Sequence, residues 1–284
     1  MFAIYELTES NTNSRAEICP ERGGILISLV SHGQNLLYLD ESTFLNPEKN
    51  IRGGNPILFP ICGQLPNCTY QWNGTAYTMK NHGVARTSPW KVEGYQKEAP
   101  GAYLTISLES NAETMESYPF PFRLCFTYRL ENGKLTIEQT ISHTGSAQQG
   151  PMPVHTGFHP YFKVSSKNIC HNLSCPTCFD YNDMTEKNLE PIFQAEGKVE
   201  AVVTKANADG CVVFYSQENP NEKIRLSASQ AYGYIMLWSV DGCDFICVEP
   251  WTAKNQELLR GEELISILPG ESINLWMAME AVSQ

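Results

Sequence analysis

Two residues stand in settings where an apolar side chain would pack more easily. His159 lies in FHPYFKV, between Phe158 and the pair Tyr161 and Phe162, and His155 precedes it by four residues in VHTGFH. Glu249 ends the apolar run FICV and is followed by Pro250 and Trp251. A carboxylate at the end of such a strand is costly to desolvate, and burial raises its pKa toward neutrality, the condition a general base needs at pH 7. An imidazole titrates in the same range and can act as the acid partner. Each also has a plain reading: Glu249 as a strand-end group facing water, His159 as a satisfied core histidine. His155 either flanks a site or simply packs.

Cations and a third histidine stand in two loop-like stretches. Arg52 opens IRGGNPILFPICGQLPN at 51–67, and His82 and Arg86 sit four apart in NHGVARTSPW at 81–90. Two guanidinium groups suit a phosphate through bidentate, charge-assisted hydrogen bonds. In a chain of formal net charge −11, either arginine is equally readable as a surface ion-pair partner. A cupin-like metal centre of His155, His159 and Glu249 is geometrically open, because residues four apart on a strand share a face, but no cupin-like motif frames the set. The segment CHNLSCPTC carries Cys170, His171, Cys175 and Cys178. Its C-x-x-C spacing lacks the second ligand pair of a structural zinc site and the βαβ setting of a redox pair, so these read as loop cysteines.

The elements that must hold these residues are strands. LTISLES from Leu104, LCFTYRL from Leu124 and KLTIEQTISH from Lys134 alternate apolar with polar residues, and CVVFY, IRLSAS, YIMLWSV and FICVE continue the series. LISILPGESINLWMAME reads as two strands around a Pro-Gly-Glu turn. Period-two alternation marks strands covered on one face, and Asn132-Gly133, Asp209-Gly210, Asp241-Gly242 and Pro269-Gly270 punctuate them. Helical periodicity is weak; the best candidate is roughly 253–264. Many close-spaced strands without intervening helices predict an all-β chain, a large antiparallel β-sandwich formed as one domain over 1–284.

Composition bounds the partners. The acidic balance argues against nucleic-acid and anionic-membrane surfaces, which call for basic patches. No run of about 18 apolar residues suggests a membrane helix, and the start lacks the pattern of a secretory signal. Ten cysteines in that context read as reduced thiols in a cytoplasmic protein.

Taken in order, ICPERGGILISLVSHGQNLLYLD, RGGNPILFPICGQLPN, NHGVARTSPW, GFHPYFKV and VEPW resemble the aldose 1-epimerase (mutarotase) family nearly end to end, in its hexose-6-phosphate epimerase-like branch. The resemblance implies a galactose mutarotase-like supersandwich that binds a small-molecule sugar or sugar phosphate and needs neither cofactor nor metal. It implies Glu249 as general base, His159 as general acid, His82 as a sugar contact near the reacting oxygens, and Arg52 and Arg86 as the grip on a phosphate. Interconverting α and β anomers requires one base and one acid, expected on opposite sides of the C1–O5 unit. Trp238, Trp251 and Tyr161 are candidates to cover the sugar's apolar face. Galactose-type members use a further acidic residue, for which Asp180, Asp183 and Asp209 are candidates without a motif, and Lys80 is a loose candidate for the phosphate set. The alternative from another class is a non-catalytic carbohydrate-binding protein of the same fold, which needs the arginines and His82 but not an aligned acid and base.

Overall fold

The computed structural model describes residues 2–195 and 199–282. Every pairing between its strands is antiparallel among the described residues, and most of them belong to two large sheets. A nine-stranded sheet runs from Ile192–Gln194 at one edge to Lys91–Gln96 at the other, and an eight-stranded sheet runs from Thr185–Asn188 to Ile57–Leu58. No helix among the described residues is long and apolar enough to cross a membrane.

The longest hairpin shows how the pattern becomes structure. Phe122–Glu131 pairs with Lys134–His143 through the two-residue turn Asn132-Gly133. Both turn residues have positive φ, 53° and 74°, which the tight turn matching strand twist demands and Asn-Gly supplies. The Glu9 carboxylate accepts the amides of both turn residues, at 2.8 and 2.6 Å. Along the first strand Phe122, Leu124, Phe126, Tyr128 and Leu130 are buried, while Arg123 and Arg129 on the other face pair with carboxylates near the surface. Each such apolar side chain contributes roughly 1.5–3 kcal/mol by leaving water.

Phe245–Trp251 departs from this one-sided pattern, for every residue in it is buried. Ile246 and Val248 join the main core. Phe245, Cys247 and Trp251 belong to clusters on the opposite face. Alternation therefore sends Glu249 to the face turned away from the main core, together with Cys247 and Trp251. Its neighbours are close: a Cβ on Gly157 would stand 2.8 Å from Cys62 Sγ, Pro250 O and Trp251 Cδ1. Only glycine permits that approach between Gly157–Phe158 and Phe245–Trp251.

One expectation changes, and a second holds with its pairing now specified. The helix expected over 253–264 is one turn, Glu257–Arg260, bounded by left-handed residues at Gln256 and Gly261. The strands around Pro269-Gly270 exist but do not pair with each other. Ile265–Ile267 pairs with Met152–Val154, and Ser272–Ala281 joins the nine-stranded sheet beside Lys134–His143. The turn is held instead by His143, whose backbone N–H donates to Glu271 O and whose carbonyl accepts from Gly270 N–H, so the chain switches sheets there.

Candidate active site

Glu249, His159, His82, Arg52 and Arg86 line one cavity of about 410 Å³, within the range of small-molecule sites. Strand Tyr234–Ser239 lies beside Glu249, with Met236 directly opposite it. Glu249 is 1% exposed, and its Oε2 accepts a hydrogen bond from Trp251 Nε1 at 3.1 Å.

His159 sits between Gly157–Phe158 and Tyr161–Lys163. The Gly/Pro loop holds it in place: His159 N–H donates to Pro56 O at 3.1 Å and Tyr161 N–H to Gly54 O at 2.9 Å. Its ring stacks on Tyr161 with centroids 4.8 Å apart and 11° between planes. His82 at 5.3 Å and Trp238 at 5.5 Å meet it edge-on. That aromatic frame restricts the imidazole to one orientation.

His82 is fixed by a reciprocal pair. Its N–H donates to Gly63 O at 2.8 Å, and Gly63 N–H donates to its Nδ1 at 3.0 Å. With Nδ1 accepting, the neutral ring carries its proton on Nε2, the nitrogen available to donate. Gly63 has φ of 75°, and a Cβ there would lie 2.3 Å from Asn255 Oδ1.

Electrostatics follow from burial. Desolvation raises the Glu249 pKa well above the usual carboxylate value, partly countered by the Trp251 hydrogen bond and the Arg86 charge. Desolvation, reinforced by Arg86, lowers His159 to about 3. His82 is likewise driven well below its ordinary value. His159 Nδ1 lies 3.5 Å from Glu249 Oε1 yet is enclosed without a hydrogen-bond partner. The contact is therefore not an ion pair. The carboxyl holds the pair's proton and the imidazole is neutral, because separating charge in a buried cavity is costly. The two groups also stand side by side, where the sequence led us to expect them on opposite sides of the C1–O5 unit.

The arginines are unusual for so acidic a chain. Neither Arg52 nor Arg86 makes an ion pair among the described residues. Arg52 is exposed and reaches within 6.0 Å of the Trp238 ring. Arg86 is half-buried, and desolvation lowers its pKa while Tyr161 and Glu249 support its charge. Arg86 also borders a second cavity of about 440 Å³, which is where Lys80 lies, outside the Glu249 cavity.

Other candidates fall elsewhere. His155 is fully buried, its Nε2 on Ala253 O at 3.0 Å and its Nδ1 accepting from Cys62 N–H at 3.4 Å. With both nitrogens engaged it braces the backbone and is not a ligand for a cupin-like centre. His171 is committed in the same way, to Glu190 O and Leu173 N–H. Asp180 and Asp183 pair with Lys187 at 2.6 and 2.7 Å, Asp209 accepts from Cys211 N–H, and none of the three lines the cavity. Its further polar lining comes from Asn50, Gln64, Asn81, Tyr181 and Asn255, none of which stands out in the sequence. Asn255 Oδ1 accepts from Gln64 and Gln256 amides at 3.1 and 3.0 Å, which leaves its NH₂ as a donor.

Comparison with known proteins identifies the family. The aldose 1-epimerase family model matches residues 5–181. Protein LacX (chromosomal) of Lactococcus lactis subsp. lactis is 32% identical over 241 residues, 75% of this chain and 78% of that protein. A Cenchrus ciliaris protein named "Putative glucose-6-phosphate 1-epimerase" is 25% identical over 301 residues, 95% of this chain and 82% of that one. The solved structure of the Slr1438 protein from Synechocystis sp. PCC 6803 superposes with a TM-score of 0.93 at 32% identity, covering 100% of this chain and 97% of that chain. With more than half of its residues under that family model, the chain belongs to the aldose 1-epimerase family.

Proposed function

We propose that this protein is a cofactor-independent aldose 1-epimerase that interconverts the α and β anomers of a hexose 6-phosphate. The observation that carries the reading is the contact between Glu249 and His159, 3.5 Å apart in the lining of one cavity of about 410 Å³. In the reaction the O1 proton passes to one group, and the C1–O5 bond breaks with its electrons going to O5. O5 takes a proton from the other group, leaving an aldehyde at C1. Rotation about C1–C2 presents the opposite carbonyl face, and the transfers run in reverse to close the ring. O1 and O5 are bonded to the same carbon, so an acid and a base standing side by side can serve both.

The pair needs one proton between them. Ionised Glu249 with protonated His159, and neutral Glu249 with neutral His159, contain the same number of protons. The family assignment of Glu249 as base and His159 as acid uses the first form, and the second is the resting state that burial favours. Each positioned proton transfer contributes roughly 10²–10⁴ in rate. His82 Nε2–H supplies a donor near the reacting oxygens, and Trp238 and Trp251 offer ring surface to the sugar.

The phosphate rests on Arg52 and Arg86, two guanidinium groups without carboxylate partners at the same cavity. An anion there gains charge-assisted hydrogen bonds, stronger than neutral ones. The test is mutarotation of glucose 6-phosphate and of free glucose, followed by polarimetry or exchange NMR. Purified protein should accelerate the phosphorylated sugar, and Glu249→Gln and His159→Ala should each lower kcat by roughly 10²–10⁴ with the fold retained. Near-full activity in either variant removes the acid–base assignment. Sugar binding without acceleration by the wild type would identify a binding protein instead.

A further inference from the structure

One group beside this chemistry takes no part in it. Cys247 lies two residues before Glu249 on the same strand, so both side chains leave the same face. The Cys247 sulfur, a Glu249 carboxylate oxygen and a His159 ring nitrogen lie within 4.8 Å of one another. All three residues are buried, His159 at 8% exposure and the other two at 1% or less. Independently, His159 Nδ1 is enclosed with no hydrogen-bond partner and faces Glu249. We propose that Cys247, His159 and Glu249 form a capture site for a thiophilic divalent cation of the zinc class, which inhibits the protein by occupying its acid–base pair.

The donor set selects the ion. One sulfur, one imidazole nitrogen and one carboxylate oxygen suit zinc or its borderline-soft neighbours, whereas magnesium and calcium prefer oxygen alone. Zinc bonds of ~2.0–2.3 Å place tetrahedral ligands ~3.3–3.7 Å apart. The donors here, within 4.8 Å of one another, must draw in by about an ångström on binding. On binding, the thiol and the carboxyl each lose a proton to solvent, and thiolate plus carboxylate cancel the ion's two charges. His159 and Glu249 line the cavity, from which water can complete the shell. Arg52 and Arg86 line the same cavity and oppose a second cation, so the site is a reversible trap rather than a structural centre.

The inhibitory half of the proposal rests on the function proposed above, and the binding half does not. Cobalt(II), titrated into the purified full-length protein, is the probe. The expected result is a saturable thiolate-to-cobalt charge-transfer band that zinc displaces. Cys247→Ser should abolish the band, and His159→Ala should weaken binding by at least ~10-fold, since even the loss of an outer-shell partner costs that much. Absence of the band overturns the proposal. So does a band that survives in Cys247→Ser, which places the ion on another thiol such as exposed Cys68. Circular dichroism checks each variant's fold, and His159→Ala decides the matter if Cys247→Ser does not fold. With activity as readout, zinc should compete with hexose 6-phosphate, and Cys247→Ser should be at least ~10-fold less sensitive with uninhibited turnover unchanged. Cobalt binding without inhibition leaves the site and removes the regulation. A wild type with no epimerase activity refutes the function, while the cobalt titration still decides the site.

Discussion

Replacing Trp251 by phenylalanine isolates the one side-chain hydrogen bond that Glu249 receives among the described residues. The indole Nε1–H donates to Oε2 at 3.1 Å inside a buried site, and a hydrogen bond to a charged group is worth roughly 1.5–3 kcal/mol. It favours the ionised carboxylate, opposing the larger effect of desolvation. Removing it makes ionisation harder, so the proton leaves at higher pH. At 1.36 kcal/mol per unit, the shift is about 1–2 units upward. The active species carries one proton on the pair, and losing that proton defines the alkaline limb of kcat/KM, which reports free enzyme. The limb should therefore move up by about 1–2 units in Trp251→Phe, measured by exchange NMR on a hexose 6-phosphate with the spontaneous rate subtracted. The substrate phosphate titrates identically with both enzymes and cancels from the difference. Phenylalanine keeps an aromatic face beside His82, so a simple packing loss alters amplitude and leaves the limb in place. A limb that stays fixed, or moves down, refutes the claim that the Trp251–Glu249 bond tunes the proton-transfer pair.

Arg86→Met should raise KM for a hexose 6-phosphate by roughly 10–100-fold, from a charge-assisted bond of about 1.5–3 kcal/mol, and leave KM for the free hexose within about threefold. Arg52→Met should act in the same direction but less, and fade with added salt, because Arg52 is exposed and screened; equal losses on both sugars in initial-rate measurements would show that neither grips a phosphate. His155 gives a stability prediction: its folded pKa is lowered to about 3 by burial, against an ordinary value of 6.5 in the unfolded chain. Its contribution is present above pH 6.5 and is lost as pH falls toward 3, at about 1.4 kcal/mol per pH unit. Urea unfolding from pH 6.5 to 4.5 should show a shallower acid loss in His155→Gln, and an unchanged slope would contradict the buried neutral assignment.

Much of this molecule is legible in its residues because strand alternation and turn chemistry are local. Asn132-Gly133 announces a hairpin wherever it lies between alternating runs, and the polar Glu249 in an apolar run marks a group whose burial must have a use. Distances are tertiary and are not legible in that way. Nothing in the spacing of residues 159 and 249 shows that the pair stand 3.5 Å apart on one side. The Asn255 amide and Tyr181 reach the cavity from turns whose residue types are ordinary for turns. The helix expected at 253–264 fails for a related reason: Gln256 adopts φ of 65°, a left-handed conformation that side-chain periodicity does not reveal. The strand after Pro269-Gly270 leaves its predecessor because pairing is decided by the two sheets it can join.

Phosphate recognition and proton transfer are coupled in the proposed reading, because Arg86 serves both. Its charge lowers the pKa of Glu249 and of His159 alike, so it weakens the hold on the shared proton. A phosphate seated on Arg86 cancels that charge, and both groups then retain a proton to higher pH. By linkage the reverse holds: a pair that has lost its proton binds the phosphorylated sugar less well. The cavity thus admits its anion most readily in the protonation state that can turn it over. An unphosphorylated hexose leaves Arg86 uncompensated and gains nothing from this. The same logic explains why burying a carboxyl and an imidazole together is tolerable here: they rest as a neutral pair, and an anion beside Arg86 helps that pair keep the one proton the reaction uses.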